Sequence, residues 1–191
     1  MLTHDDLMSL EQYARVRSEF RARVIAHKKD RFVALGEHAT LHFEDALTMQ
    51  YQIQEMLRLE RIFEPELIQE ELDVYNPLVP DGSNWKATFM IEYPDEAERR
   101  QKLAELRGIE RALWMQVAGF ARVLPVANED LDRETEDKTA AVHFLRFELA
   151  PTMVAAVKQG AAIRAGIEHP GYRAEVTLSP AVRASLAGDL L

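Results

Sequence analysis

The chain has 191 residues, 47% of them hydrophobic and 29% charged, and contains no cysteine. A chain of this length buries roughly 70% of its unfolded surface and needs no covalent staple, while the missing thiols exclude disulfides, thiol catalysis, thiolate zinc sites and any iron-sulfur cluster held by its own cysteines. The net charge of -9, from 23 basic and 32 acidic residues, argues against nucleic acid or an anionic membrane as a partner.

The charge is unevenly spread. Residues 10 to 31 carry seven basic and three acidic groups, whereas residues 44 to 81 carry ten acids against Arg58 and Arg61. Opposite signs on neighbouring elements are expected to meet inside the fold, and the alternative is that they steer a partner. Met1 to Asp6 lacks a basic region followed by an apolar run, and no stretch approaches the roughly 20 apolar residues of a membrane span, so a cytoplasmic protein is expected.

Thr3 with Asp6, and Ser9 with Gln12, have capping-box spacing, which predicts a short turn leading into a long helix. On that helix Tyr13, Val16, Phe20, Val24 and His27 share one face. The apolar runs Phe32 to Leu35 and Ala39 to Phe43 flank Gly36 as a hairpin. Residues 46 to 62 then form a helix with the stripe Met49, Ile53, Met56 and Leu57, and Pro65 opens a second helix bearing Ile68, Leu72 and Tyr75. Together they make an acidic helical hairpin at about residues 45 to 77, closed by the breakers Asn76, Pro77, Pro80, Asp81 and Gly82.

Beyond it, residues 84 to 179 read mainly as sheet. Trp85, Ala87, Phe89, Ile91 and Tyr93 alternate with Lys86, Thr88, Met90 and Glu92, which fixes the buried face of a strand. Asp95 caps a helix that Gly108 ends, and Leu113, Met115 and Val117 alternate up to Gly119, with Ala121 to Val126 returning as the second arm of a hairpin. Residues 129 to 137, with six acids, read as a solvated loop. Residues 140 to 149 have the composition of a central strand covered on both faces. His169-Pro170-Gly171-Tyr172 matches a type II turn between strands 161 to 168 and 173 to 179, and Ser179-Pro180 starts a final helix with Val182 and Leu186. The expectation is a single α+β domain over residues 1 to 191, with an antiparallel sheet of about six to eight strands, helices packed against it and the helical hairpin as an insertion.

Motifs that carry chemistry are scarce. His38 and His42 converge only if a turn brings them together, and no metal is expected. His143 is in phase with Leu145, Phe147 and Leu149, as a hydrogen-bonded core histidine would be, while His169 sits at a turn beside Tyr172 and Arg173, free to face a ligand or to close the turn. Glu60 falls among Met49, Ile53, Met56 and Phe63 on a helical wheel, where a carboxylate must be paired, protonated or pointed into a cleft. Glu71 and Tyr75, one turn apart, extend the same polar site or belong to an exposed acidic face. Catalytic candidates are therefore Glu60, Glu71, Tyr75, His143 and His169. A di-iron bundle is rejected because residues 46 to 76 hold no histidine, and isolated glycines and serines build neither a phosphate loop, a dinucleotide fingerprint nor a nucleophile elbow.

The stretches FRARVIAHKKDRFVALG (20 to 36), QIQEMLRLERI (52 to 62), ELDVYNPLVP (71 to 80), AVHFLRFEL (141 to 149) and HPGYRAEVTL (169 to 178) resemble the bacterial domain of unknown function family 3501 across nearly the whole chain. The resemblance carries no catalytic residues. It implies a genomic companion of rubrerythrin-like proteins and of heterodisulfide-reductase-related iron-sulfur proteins. Two functions are weighed on these grounds. The first is a non-catalytic accessory or adaptor docking on an iron-sulfur oxidoreductase or rubrerythrin-like partner in an oxidative-stress setting, through the charged helices. The second is a small enzyme or ligand-binding domain with a carboxylate-lined pocket, with or without a metal. Nucleic-acid binding by the basic first helix ranks below both, since that helix offers no exposed aromatics for stacking.

Overall fold

The computed structural model describes residues 1–129, 133, 135 and 137–191, so most of the acidic stretch 129 to 137 lies outside the described residues. Both capping boxes form: Thr3 closes a 3-10 turn over His4–Asp6, and Ser9 caps helix α1, Leu10–Lys28. Tyr13, Phe20 and Val24 of α1 are buried, whereas Val16 on the margin of the stripe is exposed. A 3-10 turn leads into strands β1, Phe32–Ala34, and β2, Ala39–Glu44, paired as the expected hairpin. Helices α2, Ala46–Glu60, and α3, Pro65–Tyr75, then form the helical hairpin, with Asp45 capping the first and Pro65 opening the second.

Strand β3, Asn84–Ile91, buries Trp85, Ala87, Phe89 and Ile91 as its alternation predicts. Asp95 caps α4, Glu96–Glu105, and strand β4 covers Leu113–Val117. The predicted return arm after Gly119 is corrected. Among the described residues only Val123 bridges back to Met115, and the chain then crosses to the other sheet as β5, Val126–Ala127, paired with β6, Val142–Glu148. Helix α5, Pro151–Lys158, was not foreseen, although Pro151 stands at its first turn. Strands β7, Ile163–His169, and β8, Tyr172–Thr177, make the predicted hairpin, and Ser179 caps α6, Pro180–Ala187. The turn between β7 and β8 is not type II, because Gly171 is absent from the positive-φ positions that such a turn requires at its third residue.

The protein is α+β, and its eight strands fall into two antiparallel sheets, ordered β1-β2-β3-β6-β5 and β4-β7-β8. Their facing sides share one core. Leu41, Phe43, Trp85, Phe89, Leu145 and Phe147 of the larger sheet belong to the same apolar cluster as Leu113, Met115, Ile163 and Ile167 of the smaller, with Leu103, Val157 and Leu186 from the helices. The Trp85 indole N–H donates to the Leu186 carbonyl, 3.0 Å away, and the Tyr172 hydroxyl donates to the Leu35 carbonyl at 2.7 Å, so polar contacts also join the layers. Gly36, at φ 76°, gives that hydroxyl room, since a Cβ there would stand 2.6 Å from it.

The helical hairpin has its own small clusters. Ile53, Leu57, Ile62 and Leu72 pack together, and two side-chain amides pin the N-terminal segment onto them. Gln54, fully buried, exchanges both amide hydrogen bonds with the Met8 backbone, and Asn76 does the same with Leu2. No helix among the described residues is long and apolar enough to cross a membrane.

Candidate functional site

Strand β6 is buried on one face only, so the expectation of a strand covered on both faces is corrected. His143, Leu145 and Phe147 point into the core, while Val142, Phe144 and Arg146 are half-buried on the opposite side. That outer face is partly roofed by the end of α3, and between roof and sheet lies a cavity of about 570 Å³. Val74, Tyr75, Pro77 and Leu78 line it from the hairpin, Lys86 from β3, and Phe144 and Arg146 from β6. Asp73, Glu129 and Arg133 add polar groups to the wall, the Arg133 guanidinium lying 4.6 Å from the centre of the Phe144 ring.

The electrostatics of the floor follow from sheet register. Lys86 sits directly between Glu44 on β2 and Arg146 on β6. Both oxygens of the buried Glu44 carboxylate accept hydroxyl hydrogen bonds, from Thr48 at 2.7 Å and from Thr88 at 2.8 Å. Arg146 engages both oxygens of Glu129 at 2.7 Å and also bonds Glu148. Asp81 accepts from the backbone and hydroxyl of Ser83. Among the described residues every carboxylate near Lys86 thus has another partner, and the Lys86 ammonium has no hydrogen bond or ion pair. Burial, with the like-charged Arg146 beside it, holds its pKa below the ordinary lysine value. Glu129 is driven the opposite way, kept below the carboxylate range by its bonds to Arg146.

Of the residues singled out from sequence, only Tyr75 lines this cavity. Glu60 is exposed, not in the apolar stripe. The stripe follows Met49, Ile53 and Leu57, the helix stops at Glu60, and Arg61 turns the chain through left-handed φ 57° so that Ile62, and not Phe63, goes inward. Phe63 is 61% exposed. Burial, with the charges of Glu60 and Glu70 added to it, raises the pKa of half-buried Glu71, while Glu60 and Glu70 themselves are exposed.

The two histidines are held by their surroundings. His143 is fully buried, with Nε2 2.9 Å from the Ala140 carbonyl and Nδ1 3.0 Å from the Asn128 amide nitrogen. In His169, Nε2 faces the Arg107 carbonyl at 2.9 Å and Nδ1 accepts the Gly171 N–H at 3.1 Å, so its ring closes the turn. His38 stacks on Tyr93 and contacts the Glu92 carbonyl, whereas His42 packs against Phe32. No group of three or more metal-ligating side chains is present among the described residues.

Sequence reasoning missed Lys86, Phe144 and Arg146 as site residues. Their signal was available: each occupies the outward phase of a strand whose inward residues were already assigned. A smaller cavity of about 310 Å³ lies elsewhere, beside Glu110, Arg111 and Asn128. There the buried Glu110 carboxylate lies 3.0 Å from the Arg111 guanidinium and, among the described residues, receives no hydrogen bond of good geometry.

No curated protein matches the chain. A crystal structure from Burkholderia pseudomallei, described as a novel protein of unknown function, is 54% identical, covers 100% of this chain and 99% of its own, and superposes with a TM-score of 0.94. The family described as protein of unknown function (DUF3501) matches residues 1–190. With its fold repeated in that crystal structure and the family match running through both sheets and the helical hairpin, the chain belongs to the DUF3501 family.

Proposed function

We propose that the protein is a cytoplasmic, single-domain binding protein whose cavity beneath the helical hairpin takes a small, largely apolar organic molecule with one anionic group. The observation that carries this reading is the unpaired Lys86 ammonium on the floor of a cavity walled by Val74, Tyr75, Pro77, Leu78 and Phe144. A half-buried cation without a partner is unfavourable, and a ligand anion offsets that cost. The volume falls in the range of about 300 to 1,000 Å³ typical of small-molecule sites. Charge supports the sign: among the described lining residues Lys86, Arg133 and Arg146 outnumber Asp73 and Glu129, in a chain of net charge -9.

The test uses anilinonaphthalene sulfonate, an apolar aromatic anion, titrated into the native protein. One saturable site per chain is expected. Lys86→Met, which keeps an unbranched side chain one atom shorter and removes its charge, should weaken binding about tenfold, the effect of one charge-assisted contact. Leu78→Trp, which fills the cavity, should abolish it. Equal affinity in the wild type and both variants overturns the reading.

Exposed Leu59, Phe63 and Leu67 favour a second reading, in which the hairpin docks on a partner. The acidic residues Glu60, Glu64, Glu66 and Glu70 surround them in sequence, which suits a basic surface. The partner is then the iron-sulfur oxidoreductase or rubrerythrin-like protein that the family resemblance implies, and this chain is its accessory protein. Co-purification with such a partner at low salt, lost in Phe63→Ser, is the expected result. Persistent failure to associate counts against it.

A further inference from the structure

Lys86 differs from the other lysines of the chain in where its amine stands. Lys102 pairs with Glu105 at 2.8 Å on an exposed helix, and Lys158 reaches the Leu190 carbonyl. The Lys86 side chain instead stands on a sheet, inside a cavity, beside a guanidinium, with the acids around it occupied by other donors.

We propose that Lys86 is a covalent capture residue, forming a reversible imine with a small carbonyl compound, of the class of aromatic or apolar 2-oxo acids, in the cavity beneath the hairpin. This deepens the binding reading above and rests on it. Three features of the ligand follow from three parts of the cavity. Its carbonyl carbon meets the Lys86 nitrogen, its apolar body lies against Phe144, Val74 and Pro77, and its carboxylate faces Arg146. The guanidinium spends three of its five N–H groups on Glu129 and Glu148 and keeps two for the ligand.

The step is balanced without a further reactant. The neutral Lys86 amine attacks the carbonyl carbon, a C–N bond forms, and the carbonyl oxygen takes up the proton that the nitrogen loses. The resulting carbinolamine passes its remaining N–H proton to that hydroxyl, which leaves as water as the C=N bond forms. No electrons are exchanged, and hydrolysis returns ligand and lysine unchanged. Only the neutral amine is a nucleophile, and each unit by which a lysine pKa is lowered raises its neutral fraction at neutral pH about tenfold. Burial and Arg146 act in that direction, while Glu129, Asp81 and Glu148 oppose them, each already engaged elsewhere.

Phenylpyruvate is the probe, trapped with sodium cyanoborohydride on the full-length protein at neutral pH. The expected product gains the mass of one phenylpyruvate less one oxygen atom, and peptide mapping places it on Lys86. Phenyllactate, which lacks the carbonyl, should slow the trapping by competition. Lys86→Arg should lose the adduct while its near-ultraviolet circular dichroism and melting temperature confirm that it is folded. Labelling spread over the other lysines, or equal labelling of the Lys86→Arg variant, overturns the proposal. Saturable binding of phenylpyruvate with no adduct on Lys86 also overturns it, yet leaves the anion-binding reading standing. Absence of any binding by either aromatic anion sinks both.

Discussion

Arg31 and Asp189 form an ion pair with 2.6 Å between Nη2 and Oδ2, with side chains only 2% and 7% exposed. It ties the turn after α1 to the last turns of the chain. The same guanidinium donates to the carbonyls of Phe43 and Glu44 and to the Ser185 hydroxyl, and Asp45 stands 3.3 Å away. Removing a buried cation with so many acceptors leaves its carboxylate partner unpaired. Arg31→Met should therefore cost about 3–5 kcal/mol, read as the loss of unfolding free energy in urea. Asp189→Asn, which retains a hydrogen-bonding group, should cost less.

Glu55 supplies the link between α1 and α2 that the charge pattern foreshadowed. Its carboxylate accepts from Arg17, Arg58 and the Tyr13 hydroxyl, and these bonds, Arg17 foremost, depress its pKa from an ordinary 4.5 to about 2. The stabilisation is fully present above pH 4.5 and is lost as the pH falls toward 2. Glu55→Gln should cost about 1 kcal/mol at neutral pH after allowance for solvent screening, and should flatten the acid limb of a stability profile. Parallel acid limbs in variant and wild type contradict this.

Exposed Glu60 should be dispensable for folding. Glu60→Gln and Glu60→Leu are each expected to change stability by less than about 0.5 kcal/mol. The next residue is the sensitive one. Arg61 holds left-handed φ 57°, and Arg61→Gly should raise stability by about 0.5–1 kcal/mol in thermal denaturation.

Gly166 lies opposite Trp114 in the β4–β7 ladder, and a Cβ on it would stand 2.4 Å from the indole ring and 2.8 Å from the Ala174 carbonyl. Neither the backbone nor a buried indole yields easily. Gly166→Ala should destabilise by about 1–3 kcal/mol, with a changed Trp114 fluorescence spectrum as the local readout.

The shared core predicts that heat unfolds both sheets in one transition, as a single domain does. Tyr172→Phe removes the hydroxyl that accepts the His38 N–H and donates to Leu35, and should lower that transition without splitting it. Two separate transitions in calorimetry would mean that the sheets fold independently.

Local patterns were legible where one short-range cause decides the outcome. Capping at Thr3, Ser9, Asp95 and Ser179, Pro65 at a helix start, and the period-two burial from Trp85 to Ile91 all act within a few residues. What failed depends on distant partners or on where an element stops. Glu60 was drawn into the stripe by Phe63, but the helix ends before that residue. After Val123 the chain leaves β4 because the open side of β6 offers Val126 and Ala127 a partner, which no local signal marks. The five catalytic candidates rest on residue type and local position along one element, whereas the cavity is made by an α3 roof over the outward phase of β3 and β6, an arrangement that only the tertiary fold creates.

The two ends of the larger sheet are β1, three residues long, and β5, two residues long. A foreign strand laid along either rim therefore finds only two or three rungs to extend, too few to nucleate a shared ladder. The longest outer rim in the smaller sheet, β8, turns Arg173 and Glu175 toward solvent, where their charges must be matched by any strand that adds there. Short strands at both rims of one layer and charge on β8 of the other each raise the cost of adding a foreign strand there.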